Sequence, residues 1–109
     1  MHMEIDDYES GRIVVDGKPY TEDVIISDKV YSWRRDEGHH MKVGDIKGIG
    51  DAEVVVIGTG ASGIMEVSDE VVEHFKKKNI KIIIQKTTEA VKTFNSLGGK
   101  KAAMLHLTC

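Results

Sequence analysis

The most conspicuous chemical motif is a glycine-rich run, Gly58–Gly63, that follows an apolar stretch of the chain. Its letters, GTGASG, match the G-x-G-x-x-G pattern of dinucleotide-binding loops, in which glycines let the backbone approach a pyrophosphate. The best helix start after it, Ser68, lies well beyond the last glycine, so no helix dipole begins at the loop. The next apolar strand ends in Gln85 and Lys86, where a ribose-binding carboxylate would be needed. We therefore favour tight turns with positive φ over dinucleotide binding.

Acidic and imidazole side chains cluster at Asp36, Glu37, His39 and His40. Such a group could bind a metal ion or transfer protons. Adjacent histidines point in different directions on most backbones, so we favour a solvated polar loop.

The remaining candidates lie near the end of the sequence. His106 alternates with two leucines in a predicted strand, so it faces away from them, either at the surface or in a cleft. The single cysteine, Cys109, is expected to lack a fixed partner that would activate its thiol as a nucleophile. We assign no catalytic residue, no metal ligand and no cofactor from these patterns.

These residues must be positioned by the surrounding elements, which are clearest in the second half, about residues 52–109. Strands are expected at 53–57, 80–84 and 102–107. A first helix begins after the N-cap Ser68 and ends at a left-handed Asn79. A second helix is expected to have Thr87 or Thr88 as its N-cap and to end at Gly98-Gly99. This β-α-β-α-β pattern predicts right-handed crossovers between parallel strands.

The first half, about residues 10–51, consists of short β segments at 12–15, 23–26 and 29–33, followed by a long loop at 34–51 with one helical turn around 43–47. The chain is expected to form a single α/β domain, 1–109. A mixed sheet carries helices on its surface, with an N-terminal β portion beside it. Core positions are predicted at Ile57, Phe75, Ile83, Phe94 and Leu105.

Topology predicts where a ligand would bind. In open α/β sheets, ligands collect beyond the carboxyl ends of parallel strands. If 54–57 and 80–84 are adjacent and parallel, the turns at 58–60 and 85–88 share one edge. The predicted binding cleft offers backbone N–H groups, hydroxyls and one ammonium group, which suit an anion or another polar ligand. Its residues are Gly58, Thr59, Gly60, Lys86, Thr87 and Asn95.

Composition limits the function classes. The 109 residues carry a formal net charge of -3, which does not attract nucleic acid or an anionic membrane. No apolar run approaches the roughly 18 residues of a membrane span. The acidic start does not resemble a secretory signal, and one cysteine argues against a disulfide scaffold. We therefore expect a soluble cytoplasmic protein, whose oligomeric state the sequence does not indicate.

The chain resembles a known family of small uncharacterised proteins. The resemblance is carried by 54–60, by Asn79-Ile80, and by Thr87 with Ala90 and 93–97; the first half agrees more loosely through Gly11, Ile13, Tyr20, Asp23 and Trp33. The family comprises archaeal and bacterial single-domain proteins with an MTH938-like domain. It is related to mitochondrial complex I assembly factor 3 and to a vertebrate adipogenesis-associated protein.

The resemblance implies a three-layer α/β fold with a central, mostly parallel mixed sheet and a cleft near the Gly-Thr-Gly loop. Two positions depart from the family. Phe94 stands where the family usually has tyrosine, and Lys101 replaces an arginine, so that it cannot form a bidentate clamp. No enzymatic activity is established for the family that the chain resembles.

Two hypotheses of different classes follow. The first is a non-enzymatic binding or assembly-assisting module that engages another protein or a small anionic ligand. The second is a small enzyme that acts on an anionic metabolite between the Gly58–Gly60 and Thr87–Thr88 loops. We favour the first, because the sequence offers no assignable nucleophile–base pair.

Overall fold

The computed structural model describes residues 3–109, which form ten strands, two α-helices and a short 3-10 helix. The strands are β1 Ile5–Glu9, β2 Arg12–Val15, β3 Lys18–Tyr20, β4 Val24–Ile26, β5 Val30–Ser32, β6 His40–Met41, β7 Val54–Thr59, β8 Glu66–Val67, β9 Lys81–Gln85 and β10 Lys101–His106. The helices are α1 Asp69–Lys77 and α2 Thr87–Ser96, and the 3-10 helix covers Val43–Asp45.

A five-stranded mixed sheet with the order β5-β4-β10-β7-β9 organises the molecule. Strand β7 is parallel to both β9 and β10, whereas β4 is antiparallel to β10 and β5. The register pairs Val54 with Lys81 and Gly58 with Gln85, so both strands end at one edge. The predicted adjacency of 54–57 and 80–84 is therefore confirmed. The sheet is not mostly parallel as expected: β10-β7 and β7-β9 are parallel pairs, whereas β4-β10 and β5-β4 are antiparallel.

Alternating side chains of the sheet enter two hydrophobic clusters. One cluster joins Val56 and Leu105 to α2 and to the separate sheet β1-β2-β3. The other joins Ile57 and Met104 to α1, together with Trp33. Since consecutive residues of a strand face opposite sides, α1 and α2 contribute to hydrophobic clusters on opposite faces of the sheet. The predicted α/β architecture, a mixed sheet flanked by helices, is confirmed, although strands outnumber helices among residues 3–109.

The predicted core is largely correct. Ile57, Phe75, Phe94 and Leu105 are each at most 1 % exposed. Ile83 is only partly buried, because β9 is an edge strand of the sheet. In the first half the sequence missed β1 and β3, which pair on either side of β2. The predicted loop at 34–51 contains β6, which pairs with β8, and the 3-10 helix.

Two predicted helix caps differ in detail. Ser68 occupies the N-cap of α1, but its side chain makes no capping hydrogen bond. The N-cap of α2 is Lys86, and Thr87 is the first helical residue. The predicted threonine cap was wrong because the Thr87 hydroxyl is bonded to other strands, as described below. Asn79 has the predicted left-handed conformation, with φ at +58°.

Candidate functional site

The glycine-rich loop after β7 is packed against protein atoms. A Cβ added at Gly58 would lie 2.7 Å from the Thr87 hydroxyl oxygen. One added at Gly60, where φ is +106°, would lie 2.3 Å from the Thr108 carbonyl oxygen. Both distances are far below a normal contact, so these positions require glycine. The close backbone approach that suggests a dinucleotide loop serves here to seat α2 and the segment after β10.

Thr87 links three elements at this edge of the sheet. Its side chain is fully buried. The hydroxyl accepts a hydrogen bond from Gly60 N at 2.8 Å and donates one to His106 O at 2.6 Å. Its own backbone N–H donates to Gly60 O at 3.1 Å. Thr87 therefore connects the ends of β7 and β10 to the first turn of α2, and both hydrogen-bonding functions of its hydroxyl are engaged.

The other residues of the predicted cleft divide into two groups. Thr59, which is 7 % exposed, donates its hydroxyl to Gln85 O at 3.1 Å. Lys86 is exposed, and its stem lies beside Gly63. Asn95 points elsewhere: its amide accepts a hydrogen bond from Ile5 N and donates one to Ile5 O, at 2.9 and 2.7 Å. The structure thus brings together the Gly58–Gly60 turn, Lys86 and Thr87, whereas Asn95 secures β1.

A second group of polar side chains meets at the same edge, where β10 ends and the antiparallel β4 begins. We call it the polar cluster. Its members come from the residue before β4, the segment between β5 and β6, the last residue of β10 and the segment after it. They are Asp23, Arg35, His39, His106 and Cys109.

Asp23 holds the inner part of the polar cluster. Its Oδ2 lies 2.7 Å from His106 Nδ1 and 2.9 Å from Arg35 Nη2, and its Oδ1 accepts a hydrogen bond from Leu107 N at 2.8 Å. Burial by itself raises the pKa of Asp23. The hydrogen bonds from His106 and Leu107, with the charges of His106 and Arg35, outweigh burial and lower the pKa overall. Asp23 is therefore a carboxylate at neutral pH.

The Arg35 guanidinium is buried beside this carboxylate. Its side chain is 3 % exposed and stacks on the Trp33 ring, with 4.2 Å between the guanidinium carbon and the ring centroid. The Trp33 ring is fixed in turn by a hydrogen bond from its Nε1 to Asp45 O at 3.0 Å. Within residues 3–109, Arg35 Nε and Nη1 have no hydrogen-bond partner. Buried donors are normally satisfied, so these two are exceptions.

His106 is 5 % exposed, and its two ring nitrogens have different surroundings. The short contact with the Asp23 carboxylate places the proton on Nδ1, because two lone pairs facing each other at 2.7 Å would repel. Nε2 is buried, and no group in the described chain bonds to it. The structure resolves the two alternatives for His106, since its side chain faces away from Leu105 and Leu107 and into a buried site.

His39 and Cys109 form the outer part of the polar cluster. His39 Nε2 lies 3.0 Å from Cys109 Sγ, and the His39 ring centroid lies 6.3 Å from that of His106. The side-chain donor atoms of His39, His106 and Cys109 all lie within 4.8 Å of one another. Backbone hydrogen bonds hold both outer residues, from Glu66 N to His39 O at 2.8 Å and from Ile64 N to Cys109 O at 3.3 Å.

These contacts revise two expectations. The prediction that Cys109 lacks a fixed partner was wrong, because the loop after β7 holds it beside His39. The acidic and imidazole run does not act as one group: His40 faces Glu37 at 3.5 Å on the surface, whereas His39 turns inward. Sequence reasoning proposed no role for Asp23 or Arg35 in the site. The alternation of His106 with two leucines was the one local signal that indicated this location.

A cavity of about 480 Å³ lies at the opposite end of the central strands. It is bordered by Ser27 and Asp28 after β4 and by the surface ion pair of Asp51 with Lys100, whose charged atoms are 3.2 Å apart. Because this cavity adjoins the amino ends of β7 and β10, it is separate from the polar cluster and from the Gly58–Gly60 turn.

Comparison with known proteins gives a family and a fold. A family profile described as "Protein of unknown function (DUF498/DUF598)" matches residues 5–106. A conserved hypothetical protein, PH1505 from Pyrococcus horikoshii OT3, is 22 % identical with a TM-score of 0.86, over 97 % of this chain and 99 % of its own. A structure described as an outer membrane protein from Bartonella henselae is 23 % identical with a TM-score of 0.83. The match covers 99 % of this chain and 97 % of the other.

A more distant structure carries the domain name expected from the sequence. This protein from Bordetella pertussis, described as a Mth938-like domain, is 17 % identical with a TM-score of 0.67, over 95 % of this chain and 85 % of its own. At these identities the structures establish the fold alone. No helix among residues 3–109 is long and apolar enough to cross a membrane.

Proposed function

Because this chain belongs to the family described as "Protein of unknown function (DUF498/DUF598)", with an MTH938-like fold, we propose a function from its geometry: it is a binding module whose ligand occupies the polar cluster. One observation carries this proposal. Three buried polar atoms, Arg35 Nε, Arg35 Nη1 and His106 Nε2, have no hydrogen-bond partner among the described residues.

The free energy of these atoms favours a bound ligand. An unsatisfied buried donor or acceptor costs about 1–3 kcal/mol, and more for a charged group such as the Arg35 guanidinium. A ligand that supplied the missing partners would recover part of that cost. The guanidinium needs an oxygen acceptor, and His106 Nε2 needs a donor or a cation. These requirements are met by a small polar ligand, with an anionic or carbonyl oxygen at Arg35.

The polar cluster lies at the same edge of the sheet as the predicted cleft, but beside β10 and β4 rather than between the turns after β7 and β9, and its residues differ from the predicted ones. It lies at the carboxyl end of β10, next to the Gly58–Gly60 turn: a Cβ on Gly60 would be 3.0 Å from the His106 ring. In this proposal Thr59 and Thr87 shape the edge of the site through their hydrogen bonds. Lys86 stays a prediction as a direct ligand contact, whereas the amide of Asn95 is engaged by Ile5.

NMR spectroscopy of chelator-treated, 15N-labelled protein tests the proposal. The Nε–H signal of Arg35 and the ring nitrogens of His106 are followed while phosphate, acetate and Zn²⁺ are added separately. At least one addition should move both sets of signals at saturable concentrations and leave the exposed neighbour Arg34 unaffected. If none of the three moves them, or if Arg34 responds equally, this site is not the binding site.

A second candidate function is thiol-dependent catalysis, which the distance of 3.0 Å between Cys109 Sγ and His39 Nε2 favours. The imidazole is placed to accept the thiol proton, as in nucleophile–base pairs. Alkylation by iodoacetamide at pH 7 should then slow in His39→Ala and stay unchanged in the matched control His40→Ala. Equal rates in both variants would leave simple binding as the only function supported here.

The assembly-assisting role and the protein partner still rest on the family resemblance. The cytoplasm stays our proposed location. The free thiol of Cys109 supports it, because accessible unpaired thiols are typical of reducing compartments.

A further inference from the structure

We propose that His39, His106 and Cys109 bind one Zn²⁺ ion, or another metal ion of similar softness. This inference rests on the proposed function, because it names the ligand that the polar cluster binds. The sequence alone predicted no metal site, since the three residues are brought together only by the fold.

The donor set suits zinc. Two imidazole nitrogens and one thiolate are standard Zn²⁺ ligands, and neither is favoured by Mg²⁺ or Ca²⁺, which prefer oxygen. Three protein ligands leave one position of a tetrahedron open for water or an anion. The exposed His39 ring and the partly exposed Cys109 form the outer side, through which an ion would enter.

The distances are close to those that a metal requires. Bond lengths of about 2.0–2.1 Å to nitrogen and about 2.3 Å to sulfur in a tetrahedron place ligand atoms about 3.3–3.6 Å apart. In this structure the three donor atoms lie within 4.8 Å of one another, and His39 Nε2 is 3.0 Å from Cys109 Sγ. Binding therefore needs side-chain movements: His39 and Cys109 separate by roughly half an ångström, and the most widely spaced donor atoms approach by up to roughly one ångström.

The orientation of His106 is an independent observation that points to a metal. Metal-binding histidines usually donate their second ring N–H to a carboxylate, which fixes the tautomer and raises the basicity of the metal-binding nitrogen. Asp23 makes this contact with His106 Nδ1 at 2.7 Å. The other nitrogen, Nε2, is buried and has no partner among residues 3–109. His106 is thus held ready to bind a cation through Nε2.

The charges around the site are compatible with a divalent ion. Arg35 is the one cation that contacts the His106 ring among the described residues, and its charge is balanced by Asp23, 2.9 Å away. The Cys109 thiolate would offset one charge of the metal. The open position would then favour an anionic fourth ligand, which the nearby guanidinium would also attract.

Cobalt titration tests the inference. Untagged, chelator-treated protein is kept reduced and titrated with Co²⁺, which reports a thiolate ligand by a near-ultraviolet charge-transfer band and tetrahedral geometry by intense visible bands. We expect saturation at one equivalent and displacement of Co²⁺ by Zn²⁺. Cys109→Ser should abolish the charge-transfer band.

The variants separate ligands from bystanders. His39→Ala should weaken Zn²⁺ binding by more than the 10–100-fold typical of an outer contact, and Asp23→Asn should weaken it within that range. His40→Ala, the matched control, should bind as the wild type does. Circular dichroism confirms that each variant is folded; His39 and Cys109 lie at the rim, so their substitutions should leave the core intact.

Three results would overturn the inference: no band at one equivalent of Co²⁺, full binding by His39→Ala, or equal losses in His39→Ala and His40→Ala. If the protein does not bind Co²⁺ or Zn²⁺ but phosphate or acetate moves the Arg35 and His106 signals in the NMR experiment, the metal site is refuted and the proposed binding function is retained. If neither is bound, both proposals fail.

Discussion

Substitution of Thr87 by valine gives the most quantitative test of how the site is built. The change keeps the shape of the side chain and removes one hydroxyl, which accepts a hydrogen bond from Gly60 N and donates one to His106 O. Both backbone groups would then be buried without a partner. Each unsatisfied group costs about 1–3 kcal/mol, so we expect the two together to lower the free energy of unfolding by about 2–6 kcal/mol.

Urea denaturation at pH 7 measures this loss directly, and thermal unfolding should show a decrease in Tm of about 8–24 °C for a chain of this size. Thr87→Ser is the matched control, because it retains the hydroxyl and loses one buried methyl, at about 1 kcal/mol. The reasoning is refuted if the unfolding free energy of Thr87→Val lies within about 0.5 kcal/mol of the wild-type value, since changes of that size are typical of surface sites. It is also refuted if Thr87→Ser is as unstable as Thr87→Val.

Three further predictions concern the elements around the site. Gly60→Ala should destabilise the protein by clearly more than Gly17→Ala. Both positions have positive φ, but only at Gly60 would a Cβ lie within 2.3 Å of a carbonyl oxygen. Equal losses of unfolding free energy in urea titrations would contradict the packing described. Asp23→Asn should cost about 3 kcal/mol at pH 7, because it leaves the buried guanidinium of Arg35 without a counter-charge. Since the folded-state pKa of Asp23 is lowered, its contribution is present above the ordinary value of 3.8 and is lost as the pH falls through the folded-state value. The difference in unfolding free energy between the wild type and Asp23→Asn should therefore decrease in acid. A constant difference down to pH 2 would argue against this role of the Asp23 carboxylate. Asn95→Ala should lower the free energy of unfolding by about 1–3 kcal/mol and speed amide hydrogen exchange in β1. Asn95→Asp keeps the oxygen acceptor, so its β1 amides should exchange at an intermediate rate. Unchanged exchange in the alanine variant would show that Asn95 does not hold β1.

Local patterns were sufficient to predict the part of the fold that positions the site. The apolar runs at 53–57 and 80–84, separated by a helix, allow essentially one arrangement, because crossovers between parallel strands are right-handed. That rule placed the turns after β7 and β9 at one edge. The alternation of His106 with leucines correctly placed its ring opposite them, since side chains of a strand alternate between faces.

The composition of the site depended on contacts that no local pattern encodes. His39 and Cys109 are 70 residues apart, and Arg35 and His106 are 71 residues apart. Their meeting requires β4 to pair antiparallel with β10, which the short segment 24–26 does not specify. Thr87 shows the same limitation on a smaller scale. A threonine before a helical pattern predicts a cap, but here its hydroxyl forms better hydrogen bonds with the strands.

X-ray absorption spectroscopy of the protein loaded with one equivalent of Zn²⁺ tests the central claim most directly, because it counts the atoms bound to the metal. The arrangement of the polar cluster predicts one sulfur at about 2.3 Å, two imidazole nitrogens at about 2.0–2.1 Å and one further light ligand. A spectrum without sulfur, or without the scattering signature of imidazole, would contradict the claim that His39, His106 and Cys109 together form the binding site.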